Sequence, residues 1–179
     1  MYELRALRPI KKGEQIFISY IYLLQSRSDR QEHLQSSYAF ACTCLSCSLP
    51  PSGISHSDIR RKLLGNRGTI GDPNDDSILN TWIKDISLPD DHVIGQSLKI
   101  VDIMNAEGFV DEQVCELHYP RLSKAYCALK DAENAKLWAK RTAQIIMAIY
   151  GDDYGWNKVA DSPESTDWWG RRKRELSCS

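Results

Sequence analysis

Hydrophobic and polar positions divide the chain into two textures. Up to residue 24 the apolar residues come in two short runs, Leu-Arg-Ala-Leu at 4–7 and Gln-Ile-Phe-Ile-Ser-Tyr-Ile-Tyr-Leu-Leu at 15–24, separated by Pro9 and by Lys11-Lys12-Gly13-Glu14. Short apolar runs bounded by turn residues predict strand, turn, strand. A short helix is predicted over 27–38, where Ser26 can cap the N-terminus, Asp29 sits in the first turn, and Leu34 and Tyr38 share a face. Residues 48–78 hold Pro50-Pro51, Gly53, Gly65, Gly68, Gly71 and Asp72-Pro73-Asn74, which predicts a connecting stretch with a short helix at 57–64.

From about residue 79 the period becomes helical. Ile94, Leu98 and Val101 line one face of 91–106, and Gly108 offers an end to that helix. Over 112–129, Val114, Leu117, Leu122, Ala125, Tyr126 and Leu129 recur at helical spacing, with Pro120 expected to kink or shorten the helix. Asp131 is a natural N-cap for 132–150, where Ala135, Trp138, Thr142, Ile145 and Ile149 make the apolar stripe and Gly151 the stop. A link this short predicts an antiparallel hairpin. Leu122, Ala125, Tyr126 and Ala135 resemble positions of one tetratricopeptide repeat, whereas Ser123, Lys130 and Thr142 stand where the repeat prefers Gly, Gly and Ala. A generic helical hairpin fits the same pattern equally well. The expected fold class is mainly α with a small β portion.

Composition narrows the class further. The 179 residues are 42% hydrophobic and 26% charged, with 23 Lys and Arg against 24 Asp and Glu, which excludes a wholly disordered chain and any global positive field for nucleic acid. No apolar run approaches the roughly 20 residues of a membrane span. The opening residues, with Arg5, Arg8 and Glu3, lack the apolar stretch of a signal peptide. An intracellular protein, cytoplasmic, nuclear or both, is expected. The run Arg171-Arg172-Lys173-Arg174 reads as a solvated helix end, because Glu175 follows and no aromatic residues interleave; Trp168-Trp169 is expected to anchor the last segment.

The six cysteines are unevenly spread. Cys115 and Cys127 fall in a helical pattern and are expected to be buried as small apolar residues. Cys42, Cys44 and Cys47 instead form Cys-x-Cys-x-x-Cys, a spacing that lets three thiolates converge on one tetrahedral ion. Structural zinc takes four ligands, so His33, His56 and Cys178 are candidates for the fourth, His56 being the most reachable.

One stretch carries more than its separate motifs. Lys12-Gly13-Glu14, Ile18-Ser19-Tyr20, Leu23-Leu24, Asp29-Arg30, Leu34, Ser37-Tyr38, Phe40 and the Cys42, Cys44, Cys47 cluster follow one another in an order that resembles the end of a SET domain and its post-SET segment. The likeness is greatest to the SMYD-type protein lysine methyltransferases. The resemblance implies S-adenosylmethionine as methyl donor, zinc at the cysteines, and a protein substrate bearing lysine. It implies Tyr20 as the catalytic tyrosine closing the lysine channel, Tyr38 as a second channel tyrosine, and Phe40 as a ring against the cofactor's adenine. Without the resemblance, Tyr20 reads as a core tyrosine at the rim and Phe40 as a packing residue.

The implied organisation is the last strands of a SET domain at 1–40, a cysteine cluster at 41–50, a link at 51–78 and tetratricopeptide-like helices at 79–179. An Asn-His-x-Cys motif, which in that family binds cofactor and supplies the fourth zinc ligand, does not occur among these residues. The 179-residue polypeptide is therefore expected to lack most of the cofactor pocket and to be inactive in isolation. The rival expectation is a non-catalytic module, clipped by zinc, whose helices over 91–150 bind a peptide.

Overall fold

The helices begin where local chemistry starts them. In the computed structural model, which describes residues 5–7, 9–16, 18–68 and 76–172, α1 spans Arg27–Tyr38 and Ser26 Oγ accepts the Asp29 N–H at 3.2 Å. Helix α2 spans Pro51–Leu63 and leads into a π-helical turn at Leu64–Gly68. It starts earlier than the predicted short helix at 57–64, because a proline at the first helical position lacks only an N–H that has no intrahelical partner anyway. Helices α3 (Ser77–Lys84), α4 (His92–Glu107), α5 (Glu112–Ala128), α6 (Ala132–Tyr150) and α7 (Trp156–Asp161) follow. Asp111 and Asp131 accept the N–H groups of Val114 and Asn134 at 3.1 and 3.0 Å, capping α5 and α6. Gly108 and Gly151 end α4 and α6 with φ of 72° and 80°. Pro120 neither ends nor shortens α5, which runs past it to Ala128.

Two apolar clusters meet around α4, α5 and α6. One joins Leu79 and Trp82 of α3 to Val93, Ile94 and Val101 of α4, Leu122 of α5 and Trp138 of α6. The other joins Ile100 and Met104 of α4, Val114 and Cys115 of α5, and Ile145 of α6 to Leu64 and, from the N-terminal segment, Leu24. Cys115 and Cys127 are buried, as expected of small apolar side chains.

The expected β portion is overturned: among the described residues there is no strand. Residues 4 and 17 of the two predicted runs lie outside the described residues. A strand exists only through hydrogen bonds to a neighbouring strand. The described parts of 4–7 and 15–24 find no such neighbour, and Ile16 and Ile18 are 71% and 57% exposed.

The basic tail also departs from expectation. Trp168 packs against the first cluster, and the Gly170 and Arg172 N–H groups donate to the Cys127 and Ala128 carbonyls at the end of α5, at 3.0 and 3.2 Å. Far from being solvated, the Arg172 side chain is 0% exposed. Its guanidinium donates to the carbonyls of Trp82 and Leu88, pairs with Asp90 at 2.9 Å, and lies 4.3 Å from the centre of the Trp82 ring. Lys173 and Arg174 lie outside the described residues.

Candidate functional site

The cysteine loop lies between α1 and α2. The N–H groups of Cys47 and Ser48 both reach the Cys44 carbonyl at 3.0 Å, closing a tight turn that brings the three Sγ atoms within 4.8 Å of one another. Around a tetrahedral zinc with Zn–S of about 2.3 Å, sulfurs stand about 3.8 Å apart, so a slight contraction would seat the ion.

Helix α1 fixes the loop at both ends. The Gln31 side chain donates to the Cys42 carbonyl at 2.7 Å and accepts the Cys42 N–H at 2.9 Å. Arg27 Nε donates to the Cys47 carbonyl at 2.7 Å, while its own N–H donates to Asp58 of α2 at 2.7 Å. Buried Arg30 donates to the Gln25 carbonyl. Arg61 of α2 reaches the Leu23 carbonyl and, at 2.8 Å, Glu107 of α4. Glu107 also accepts from Ser57 and Arg60, each at 2.6 Å.

The surroundings act in opposite senses on two of the thiols. Burial pushes the Cys44 thiol up, but hydrogen bonds from the Cys47 and Ser46 backbone and from the Cys42 and Cys47 side chains outweigh it, leaving its pKa below the ordinary value. Burial first, and the neighbouring Cys44 second, hold Cys47 above its ordinary value, with Arg30 acting the other way. Three converging soft donors fit zinc, which would be held by Cys42, Cys44 and Cys47. Among the described residues neither His33 nor His56 joins them. The His33 ring stacks on Tyr38 with centroids 6.5 Å apart, His56 is exposed on α2, and Cys178 lies outside the described residues.

Beside this loop the three aromatic residues singled out from sequence come together. The Tyr20 ring lies 5.2 Å from that of Tyr38 and 6.4 Å from that of Phe40, and the Tyr38 hydroxyl donates to the Tyr20 carbonyl at 3.4 Å. Ala39 makes this possible. It ends α1 in the left-handed region, at φ 57°, a conformation that costs an alanine roughly 1–2 kcal/mol and turns the chain between Tyr38 and Phe40. Tyr20, Tyr38 and Phe40 remain 53%, 47% and 41% exposed, so the rings are grouped but not enclosed. Sequence reasoning missed Arg27, Arg30, Gln31 and Ala39. The first three carried a readable signal, since their spacing sets them on one helix face directly before the cysteines.

Part of the chain is similar to SET-domain proteins, among them N-lysine methyltransferases. A 46-residue match to a SET domain-containing protein of Dictyostelium discoideum is 50% identical and covers 26% of this chain and 12% of that protein. Human N-lysine methyltransferase SMYD2 is 41% identical over 59 residues, and SMYD2-A of Danio rerio 43% over 61, covering 33% and 34% of this chain and 14% of each relative. The matched stretch thus spans a small fraction of these relatives' lengths. No protein-family model and no solved structure matches the chain.

Proposed function

We propose that the chain contributes the end of a SMYD-like SET protein lysine methyltransferase that uses S-adenosylmethionine. The observation that carries this reading is the grouping of Tyr20, Tyr38 and Phe40 beside the clamped cysteine loop. Methyl transfer needs a neutral amine aligned with the donor's methyl group and water kept away. In this reading the Tyr20 hydroxyl orients the amine, Tyr38 lines its channel, Phe40 packs on the adenine, and zinc at Cys42, Cys44 and Cys47 holds the loop that positions them. Residues 1–40 then belong to the SET domain, 41–50 to the cysteine cluster, 51–78 to a link and 79–179 to helices of which α5 and α6 form a tetratricopeptide-like pair.

Half-exposed rings cannot exclude water, so the 179-residue polypeptide by itself is expected to bind S-adenosylmethionine weakly and to methylate little. The test begins with the transcript upstream of Met1, read for an in-frame Asn-His-x-Cys. Methyl transfer to lysine peptides by the longest chain, falling about 100-fold or more in Tyr20→Phe, supports the reading. Absence of saturable S-adenosylmethionine binding in that longest chain refutes it.

A second reading, a non-catalytic peptide-binding module, is favoured by a cavity of about 220 Å³ between α5 and α7, lined by Lys124, Tyr154, Trp156 and Trp168 among others. Titration calorimetry with S-adenosylmethionine separates the two, because the module should show no heat of binding.

A further inference from the structure

The cavity of about 220 Å³ between α5 and α7 is lined by aromatic rings that stand in place without a guest. Trp168 packs on the first apolar cluster and Trp156 on the second. Tyr154 stands exposed beside them at φ 47°, a left-handed conformation that L side chains rarely adopt, with its N–H donating to Asp152 at 2.7 Å.

The charges around these rings decide what the cavity can hold. Three aromatic side chains suit a cation when a ring face is open to it. Here Lys124 Nζ and the Arg171 guanidinium already lie 5.3 and 4.8 Å from the centre of the Trp168 ring, so a guest cation would meet two like charges there. An anion is no better served. Lys124 donates at 2.9 Å to each carboxylate oxygen of Asp76, which a guest carboxylate would have to displace. The other polar groups of the lining are occupied or uncharged. Ser123 Oγ donates to the Ala135 carbonyl at 3.0 Å and Thr166 Oγ1 to the Pro163 carbonyl at 2.7 Å, while burial pushes the Cys127 thiol up and keeps its proton on. An apolar cavity of roughly 150 Å³ accepts benzene, so this one has room for a single substituted ring.

We propose that this cavity is a binding site for one uncharged aromatic ring, supplied by a free small molecule or by a side chain of a peptide. The proposal rests on the reading of the cavity as a binding site and is independent of methyl transfer.

The experiment titrates the whole 179-residue chain with benzyl alcohol, benzylammonium and benzoate, which carry one ring and differ in charge. Indole N–H signals are followed by NMR. Benzyl alcohol is expected to shift those of Trp156 and Trp168 saturably, with a Kd on the order of 0.1–1 mM, and to leave that of Trp82, which donates to the Pro89 carbonyl, in place. Both ions are expected to bind about fivefold more weakly or worse. Tyr154→Ala, at an exposed position, should weaken binding about 3–10-fold. Val159→Trp, which fills the cavity, should abolish saturation.

Absence of saturable shifts with benzyl alcohol overturns the proposal, and so does equal or tighter binding of either ion. Should Val159→Trp fail to fold, Tyr154→Ala and the charge series decide the matter. A blocked Gly-Gly-Tyr-Gly-Gly peptide separates the two sources. Binding of the peptide as well as the alcohol supports the site and makes a partner's side chain the occupant. Binding of the alcohol alone supports the site as one for a small aromatic molecule, and in that case the peptide-binding module fails while this proposal stands.

Discussion

The segment before residue 50 and the helices after residue 76 acquire their order by different means. In α3 to α6, Leu79, Trp82, Val93, Met104, Val114 and Leu122 are fully enclosed, and the helices hold one another through apolar surface removed from water. Before residue 50 the described apolar residues that are buried are Leu24, Leu34 and Cys47, while Ile16, Ile18, Tyr20 and Tyr22 face outward. Order there comes from Gln31 on Cys42, Arg27 on Cys47 and Arg61 on Leu23, polar clamps that reach backbone groups one by one. A sequence can thus be equally apolar in two places and build a core in only one. Burial needs a partner surface, and hydrophobicity alone does not supply it.

Stripping the metal should separate the two regions most sharply. Cys44→Ser, or chelation of the zinc-loaded chain, is expected to abolish stoichiometric metal uptake and remove amide protection across α1 and the cysteine loop, with α5 and α6 still protected. Mass spectrometry of metal content and site-resolved hydrogen exchange read both halves, and equal loss in α6 would erase the distinction. Next in size, Leu122→Ala should destabilise the helical region by about 3–5 kcal/mol in denaturant unfolding, because the side chain is fully buried, and should leave metal uptake at the cysteines intact.

An alkaline titration comes third. Burial pushes the Cys115 thiol from 9.0 up to about 11, so the unfolded chain loses this proton at lower pH than the folded one. The resulting stability is complete below pH 9 and is lost as pH rises toward 11, roughly 2–3 kcal/mol over that window. Tyr119, half-buried beside Cys115, is displaced in the same direction by burial first, and adds to the loss. Denaturation midpoints measured from pH 8 to 11 check the slope, which Cys115→Ala should flatten. The smallest effect belongs to the exposed strip: Ile16→Ser should change stability by no more than about 0.5 kcal/mol, and a larger cost would mean that this strip is covered in solution.

What could be read from the sequence follows the same division. Helices α1, α5 and α6 are legible because capping and periodicity are local: Ser26 and Asp131 cap their own next turn, and the apolar stripe of α5 repeats within its own length, whatever the rest of the chain does. The cysteine cluster was legible because its ligands lie within six residues. The apolar runs at 4–7 and 15–24 misled, since their period describes how a strand would lie in a sheet and says nothing of whether a sheet is there. Pro50-Pro51 suggests a loop from sequence, although proline suits a helix's first turn as well as it suits a turn. Arg172 was out of reach for a different reason. An arginine in a basic run is solvated unless carbonyls are waiting for it, and those of Trp82 and Leu88 lie more than 80 residues earlier in the chain.

That long span sets an order of events as the protein is made. The carbonyls of Trp82 and Leu88, at the end of α3 and in the link to α4, and the last carbonyls of α5 acquire their partners from Gly170 and Arg172, so these groups wait until nearly all the described chain has been synthesised. Helices α3 to α6 can pair as they emerge, yet the helical region cannot close until residue 172 has arrived, which places the final step of its folding after its translation and leaves a premature stop just upstream with an open, unsealed intermediate.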